Sequence, residues 1–184
     1  MRGYFGIGVE GISKPRNVGA LTRTAHAFGA SFFFAVSPVV DFKALKESDT
    51  SAAYLHLPTY VFNGVDSIQL PRDCRMVGVE LTDDAIDLPS FRHPDRAVYV
   101  LGPERGSLSP EMTALCEFVV KIPTAFCVNV GLAGAVVMYD RVISRGRFPD
   151  RPVRAGGPLE ELPEPVFGGP ILRKKRAAKE QEIS

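Results

Sequence analysis

The chain has no uninterrupted apolar run long enough to cross a bilayer, and glycines and Glu10 break up the apolar residues of its opening MRGYFGIGVEG. That pattern has neither the length of a membrane span nor the shape of a signal peptide, so a cytoplasmic protein is expected. Cysteine is scarce: Cys74, Cys116 and Cys127 cannot all pair and show no C-x-x-C spacing. A disulfide framework and a zinc site are therefore not suggested, and reduced thiols fit a cytosolic setting. Neither sign of charge is in excess, with 22 Lys and Arg against 21 Asp and Glu. Net charge thus gives little argument for a nucleic-acid partner, and its distribution matters more. There is no P-loop, and Gly6 and Gly8 form only a G-x-G inside a strand. ATP and nicotinamide cofactors are not indicated. No internal repeat is found.

What is present reads as one α/β domain. At 184 residues and 45% apolar content the chain can build one sizeable core, and it is short for two. The pattern predicts a strand over Tyr4 to Glu10, a turn, and a helix opened by Pro15 with Val18, Leu21, Ala25 and Phe28 on one face. Asn17 and Arg23, a little under two turns apart, are expected near one edge of that helix. Ser31 to Val36 has the unbroken apolar run of a buried parallel strand. The polar stretch Asp41 to Leu57 reads as loop with short helical turns, Val65 to Leu70 as a short helix, and Met76 to Leu81 as a strand. From Ala97 to Arg141 the chain reads strand, Gly-Pro-Glu-Arg-Gly turn, short helix capped by Ser109 with Pro110 first, strand over Phe118 to Ile122, loop, and a helix from about Asn129. The fold class is α/β, with a mostly parallel sheet and helices on both faces. Residues 1–147 form the domain. Residues 148–184 are a Pro/Gly-rich extension that ends in a basic tail, Arg173 to Arg176 with Lys179, readable as a solubilising tail or as a phosphate-binding arm.

In parallel sheets, ligands sit at the carboxyl-end loops. The first such loop offers Gly102, Pro103, Glu104 and Gly106, and so a close-approaching backbone with one carboxylate. The second sets Pro123, Cys127 and Asn129 against a helix start, and Gly131, Ala133, Gly134 and Ala135 thin one face of that helix so that another backbone can pack close. On the residues alone, ordinary βα turns fit equally well. His56 has no acidic or nucleophilic neighbour in sequence, and Asp83 and Asp84 suit a solvated turn better than a metal site.

A third stretch, Lys14 to Phe28 (KPRNVGALTRTAHAF), changes that balance. With the two loops, it resembles the three motifs of the SpoU/TrmH family of RNA 2'-O-ribose methyltransferases, of the SPOUT (α/β-knot) superfamily. The first, N-x-G-x-x-x-R-x-A, is met by Asn17, Gly19, Arg23 and Ala25. The second resembles G-P-E-x-x-G, met by Gly102, Pro103, Glu104 and Gly106. The third begins Ile122-Pro123 and closes with Asn129, Val130 and Ala133. Two departures stand out: Cys127 occupies a position that is Ser in most relatives, and the segment from Ile122 to Asn129 is about three residues shorter than usual.

The resemblance implies a C-terminal deep trefoil knot, S-adenosylmethionine bound bent in the knotted loops without a metal, and a homodimer in which the first-motif arginine completes the partner's site. It further implies that Arg23 activates the ribose hydroxyl and binds phosphate, that Asn17 holds the arginine or substrate, that Glu104 orients polar groups and that Asn129 shapes the cofactor loop. Leu81, Gly102, Ile122, Cys127 and Val128 are the implied cofactor contacts. The acceptor is RNA, tRNA in preference to rRNA. A catalytically silent RNA-binding knot protein and a base-nitrogen methyltransferase are the alternatives.

Overall fold

The computed structural model describes residues 3–41 and 56–157. Its contacts divide the chain into Met1–Arg147 and Phe148–Ser184. Of the second unit, residues 148–157 are described and contain neither helix nor strand. The basic run from Arg173 and most of the stretch from Asp41 to Leu57 lie outside the described residues.

Unbroken apolar runs become strands covered on both faces. In the first unit β1 (Tyr4–Glu10), β2 (Phe32–Val36), β3 (Thr59–Phe62), β4 (Arg75–Val79), β5 (Ile86–Asp87), β6 (Arg96–Leu101) and β7 (Phe118–Lys121) form one sheet in the order β3-β2-β1-β6-β4-β7-β5. Every pairing is parallel. Among the described residues three helices cover it: α1 (Pro15–Ala27), α2 (Pro110–Leu115) and α3 (Val130–Arg145). One face of the sheet, with Ile7, Phe33, Val77 and Tyr99, joins the core that holds Leu21 of α1 and Val137 of α3. The other, with Phe32, Phe34, Val98 and Val100, packs against Met112 of α2. Alternate residues of each strand thus reach opposite faces, which is why these strands read as continuous apolar runs.

The G-x-G of β1 is a packing device. A Cβ on Gly6 or Gly8 would lie 2.4 Å from the ring of Phe32 or Phe34, its register partners on β2. The small face of α3 works in the same way, since a Cβ on Gly134 would stand 2.5 Å from Leu21 of α1. The two helices therefore pack side by side, with their N-termini over the carboxyl ends of β1, β6, β4 and β7.

Three elements differ from the sequence expectation. β3 is largely exposed at the sheet edge and so lacks a buried run. β5 is a two-residue pairing with β7. Val65–Ser67 is a single 3-10 turn rather than a helix reaching Leu70, and it ends where Ile68 turns to extended backbone. Among the described residues no helix is long and apolar enough to cross a membrane.

At the amino ends of the strands, Arg141 of α3 is completely buried. It donates to the carbonyls of Pro94 and Asp95 at 2.7 and 2.9 Å and to the Tyr99 hydroxyl at 3.0 Å, and it stacks over the rings of Phe5 and Tyr99. The Tyr99 hydroxyl also meets His93 Nδ1 at 2.6 Å, and His93 Nε2 meets Asp140 at 2.9 Å. Because Arg141 only donates, the tyrosine is left to donate to His93, whose other nitrogen donates to the carboxylate. Burial pushes His93 below its ordinary 6.5, which Asp140 only partly opposes, and pushes Tyr99 up to about 12. This cluster fastens the C-terminal half of α3 to the strands, far along the helix from its N-terminus.

Candidate active site

Three carboxylates, two at strand ends and one on the loop itself, shape the loop that follows β6. Glu10, the last residue of β1, accepts from the backbone N–H and hydroxyl of Ser109 at 2.8 and 2.6 Å. Ser109 in turn caps α2 by accepting from Met112 N–H at 3.1 Å. Glu80, just past β4, accepts from Leu108 N–H at 2.8 Å and from Leu81 N–H at 3.1 Å. Glu104, on the loop itself, reaches the start of α1. One of its oxygens accepts from Ser13 N–H and hydroxyl at 2.9 and 2.8 Å, and the other from Lys14 N–H at 3.0 Å and Asn17 Nδ2 at 2.8 Å.

Those four donors occupy the lone-pair positions of Glu104, and a carboxylate before a helix N-terminus is further favoured by the helix dipole. Burial by itself would push the Glu104 carboxyl up. The bonds from the Ser13 backbone, the Asn17 side chain and the Ser13 hydroxyl outweigh it and hold the group at about 2. It is ionised and saturated, which makes it an anchor and disqualifies it as a general base at neutral pH.

The chain of bonds continues beyond Glu104. With its amide nitrogen committed to the carboxylate, Asn17 turns its oxygen to Asn129, which donates at 3.2 Å. The Asn129 oxygen accepts from Gly131 N–H at 2.9 Å and so caps α3. An acceptor-only group at one end and a backbone donor at the other fix both amide orientations. Asn17 is 4% exposed, and the relay Glu104–Asn17–Asn129 ties together the loop after β6, helix α1 and the loop after β7.

Beside this relay lies a cavity of about 270 Å³, whose lining includes Leu81, Leu101, Gly102, Ile122, Cys127, Val128, Asn129 and Ala133. All five residues implied as cofactor contacts line it, and so do Glu104 and Asn129. Arg23 does not join them. It sits six residues beyond Asn17, about 9 Å along and 120° around α1, and is exposed with no hydrogen bond or ion pair among the described residues. The expectation that both share one edge of the helix gives way to a buried Asn17 and an outward Arg23. Gly106 follows Glu104 by two positions, so this turn is a residue shorter than the motif G-P-E-x-x-G; Gly106 meets it with φ 114°.

Sequence reading missed Glu10, Glu80, Ser13, Lys14 and Thr124, of which Glu80, Lys14 and Thr124 also line the cavity. For the two carboxylates the available signal was an acid directly after an apolar strand. Close to the cavity, α3 also exposes Leu132, Val136 and Tyr139 at helical spacing, and the preceding loop exposes Phe126. Among the described residues no group of three or more His, Cys, Asp and Glu could hold a metal ion.

Comparison with known proteins agrees with this architecture. Residues 5–139 match the SpoU rRNA Methylase family, and the chain belongs to that family. It is 27% identical over 138 residues to a tRNA (guanosine(18)-2'-O)-methyltransferase of Mus musculus, covering 70% of this chain and 9% of the relative. To the tRNA (guanosine(18)-2'-O)-methyltransferase of Escherichia coli K12 it is 26% identical over 137 residues, covering 72% of this chain. The chain spans only 60% of that relative's length. The fold matches a crystal structure of AdoMet-bound rRNA methyltransferase from Sinorhizobium meliloti with a TM-score of 0.69 at 21% identity, covering 78% of this chain and 57% of that one.

Proposed function

We propose that the protein transfers a methyl group from S-adenosylmethionine to a ribose 2'-hydroxyl of structured RNA, with tRNA as the substrate class. The observation that carries this reading is the Glu104–Asn17–Asn129 relay, which draws the three motif segments around one cavity. Membership of the family and the tRNA 2'-O-methyltransferase names of the two relatives support the reaction and the substrate. Residues 1–147 are the proposed methyltransferase domain and 148–184 an extension. The trefoil knot of the family, at the loops after β4, β6 and β7, and a cytoplasmic location belong to the same proposal.

The cavity suits the methyl donor in kind. Its aliphatic residues Leu81, Leu101, Ile122 and Val128 give an adenine ring apolar walls, and its polar side chains Glu80, Glu104 and Asn129 are held by hydrogen bonds. When bound, the donor supplies a sulfonium-linked methyl group open to displacement. Leu81, Gly102, Ile122, Cys127 and Val128 hold it, while Glu104, Asn17 and Asn129 keep the three loops in register. Methyl transfer needs hydroxyl oxygen, methyl carbon and sulfur nearly in line, so rigid loops supply much of the rate through orientation.

Glu104 takes no part in proton removal. Arg23 binds a phosphate of the target nucleotide and, together with that phosphate, assists loss of the hydroxyl proton to solvent. Exposed and absent from the lining of its own cavity, it serves a partner's. The exposed stripe Leu132, Val136 and Tyr139 on α3 supports a homodimer, because contiguous apolar surface of this kind marks interaction sites.

The test is incubation with unmodified tRNA transcripts and isotopically methyl-labelled S-adenosylmethionine, followed by nucleoside mass spectrometry. A labelled 2'-O-methylnucleoside is the expected product. A base-methylated nucleoside would redirect the chemistry to a base nitrogen, and donor binding without transfer to any RNA would make the protein a silent binder.

A further inference from the structure

Hydrogen-bond accounting around the cavity leaves one carboxylate with spare capacity. Glu104 is saturated by four donors, and Asn129, with its oxygen on Gly131 N–H and its nitrogen on Asn17, keeps one acceptor site and one N–H but carries no charge. Glu80 differs. Each of its oxygens receives a single backbone N–H, from Leu108 and from Leu81. A carboxylate oxygen offers two lone pairs, so one remains on each. The same two bonds, together with the close pass of Gly102, whose Cβ would lie 3.4 Å from the Glu80 oxygen, fix the carboxylate at the cavity wall beside the aliphatic residues.

Two parallel acceptor sites on one fixed carboxylate match a vicinal diol, whose two hydroxyls donate side by side. We infer that Glu80 binds the 2'- and 3'-hydroxyls of the adenosine ribose of the methyl donor. This rests on the S-adenosylmethionine reading above and deepens it. Glu80 thereby acts twice: through Leu108 it holds the loop after β6, and through its free lone pairs it selects a ribonucleoside. Bonds to a charged acceptor are among the strong ones, and deleting their donors leaves a carboxylate partly unpaired.

The experiment is calorimetric binding of S-adenosylhomocysteine and of its 2'-deoxy and 3'-deoxy analogues to wild-type protein, Glu80→Gln and Glu80→Ala, with thermal unfolding followed in parallel. Wild type should bind each deoxy analogue roughly tenfold to a hundredfold more weakly than the parent. In both variants the parent should weaken by a similar factor and the discrimination against the deoxy analogues should shrink to about twofold. A loop disturbed by the substitution would weaken all three ligands alike and preserve the discrimination, which overturns the inference. Equal binding of parent and deoxy analogues by wild type overturns it without any variant. Failure of the parent to bind wild type at all would instead overturn the cofactor reading, and this inference with it.

Discussion

Asn17 on α1 donates its side-chain amide to Glu104 at 2.8 Å, across 87 positions of sequence. Asn17 is buried and its oxygen carries the bond from Asn129, so its amide depends on both partners, whereas Glu104 is half-buried and Asn129 is exposed. Asn17→Ala should cost about 1.5–3 kcal/mol of stability, the range for losing a hydrogen bond to a charged group. Asn129→Ala should cost less than its single-variant value when made in the Asn17→Ala background, with a coupling of about 0.5–3 kcal/mol. Urea unfolding of the two single variants and the double variant measures this. Strict additivity would show that the two amides act independently.

Two acid limbs should appear in the stability profile, one from each polar cluster. Glu104 is held at about 2 against an ordinary 4.5. Its contribution is present above the ordinary value and is lost as pH falls from about 4.5 towards 2. His93 is held below 6.5, so the unfolded chain takes up its proton first. Its contribution is complete above about pH 6.5 and is lost as pH falls below it. The groups facing His93 are Tyr99 on β6, Asp140, Arg141 and Arg145 on α3, and the ring of Phe91. In a urea series, His93→Gln should flatten the limb that begins as pH falls below about 6.5, and Glu104→Gln the limb below about 4.5. An unchanged upper limb in His93→Gln would assign it to another group.

The strands with both faces buried were legible because burial forces apolar runs on them. β3 and β5 were not, since an exposed edge strand and a two-residue pairing owe their existence to neighbours rather than to their own pattern. The site divides in the same way. Asn17, Glu104 and Asn129 could be read from motif spacing, whereas Glu10 and Glu80 act only once the loop after β6 folds back over them. Gly102 is instructive in another respect. Its missing side chain was expected to make room for a ligand. A Cβ there would meet Leu108 N at 3.1 Å and the Ser107 carbonyl carbon at 3.3 Å, so the space it saves belongs first to the loop's own backbone.

That observation alters what Gly102→Val should do. A branched side chain must push the 107–108 backbone away and loosen Leu108 from Glu80. Overpacking of this kind costs about 1–3 kcal/mol. Thermal unfolding should therefore show a destabilised protein as well as weakened S-adenosylhomocysteine binding. Lost binding at unchanged stability would mean that the side chain enters the cavity directly.

Arg23 and Glu104 give a test of the dimer. Arg23→Ala should abolish methylation while stability and donor affinity stay near wild type, because the exposed side chain makes no bond among the described residues. Glu104→Ala should be inactive for a different reason, through its own loops. If Arg23 serves the partner's cavity, a mixed dimer of the two variants contains one intact site. Random exchange of equal amounts should then restore about a quarter of wild-type activity. A mixture as inactive as its components, after exchange is shown by mass spectrometry, would place Arg23 in its own subunit's site.

Cys127 is the exposed thiol on the cavity wall, while Cys74 and Cys116 are half-buried and burial pushes each of them up to about 11. Alkylation requires both access and thiolate. Iodoacetamide at mildly alkaline pH should therefore label Cys127 well before the other two, as peptide mass mapping would show. Saturating S-adenosylhomocysteine should slow that labelling at least tenfold if the donor lies against this wall, and leave Cys74 and Cys116 unaffected. A small exposed residue that only lines the cavity can be replaced by another, so Cys127→Ser should retain methylation and Cys127→Ala should lose only a few-fold. Labelling that ignores the ligand would remove Cys127 from the cofactor wall. Loss of activity in both variants would give the thiol a chemical task beyond filling space.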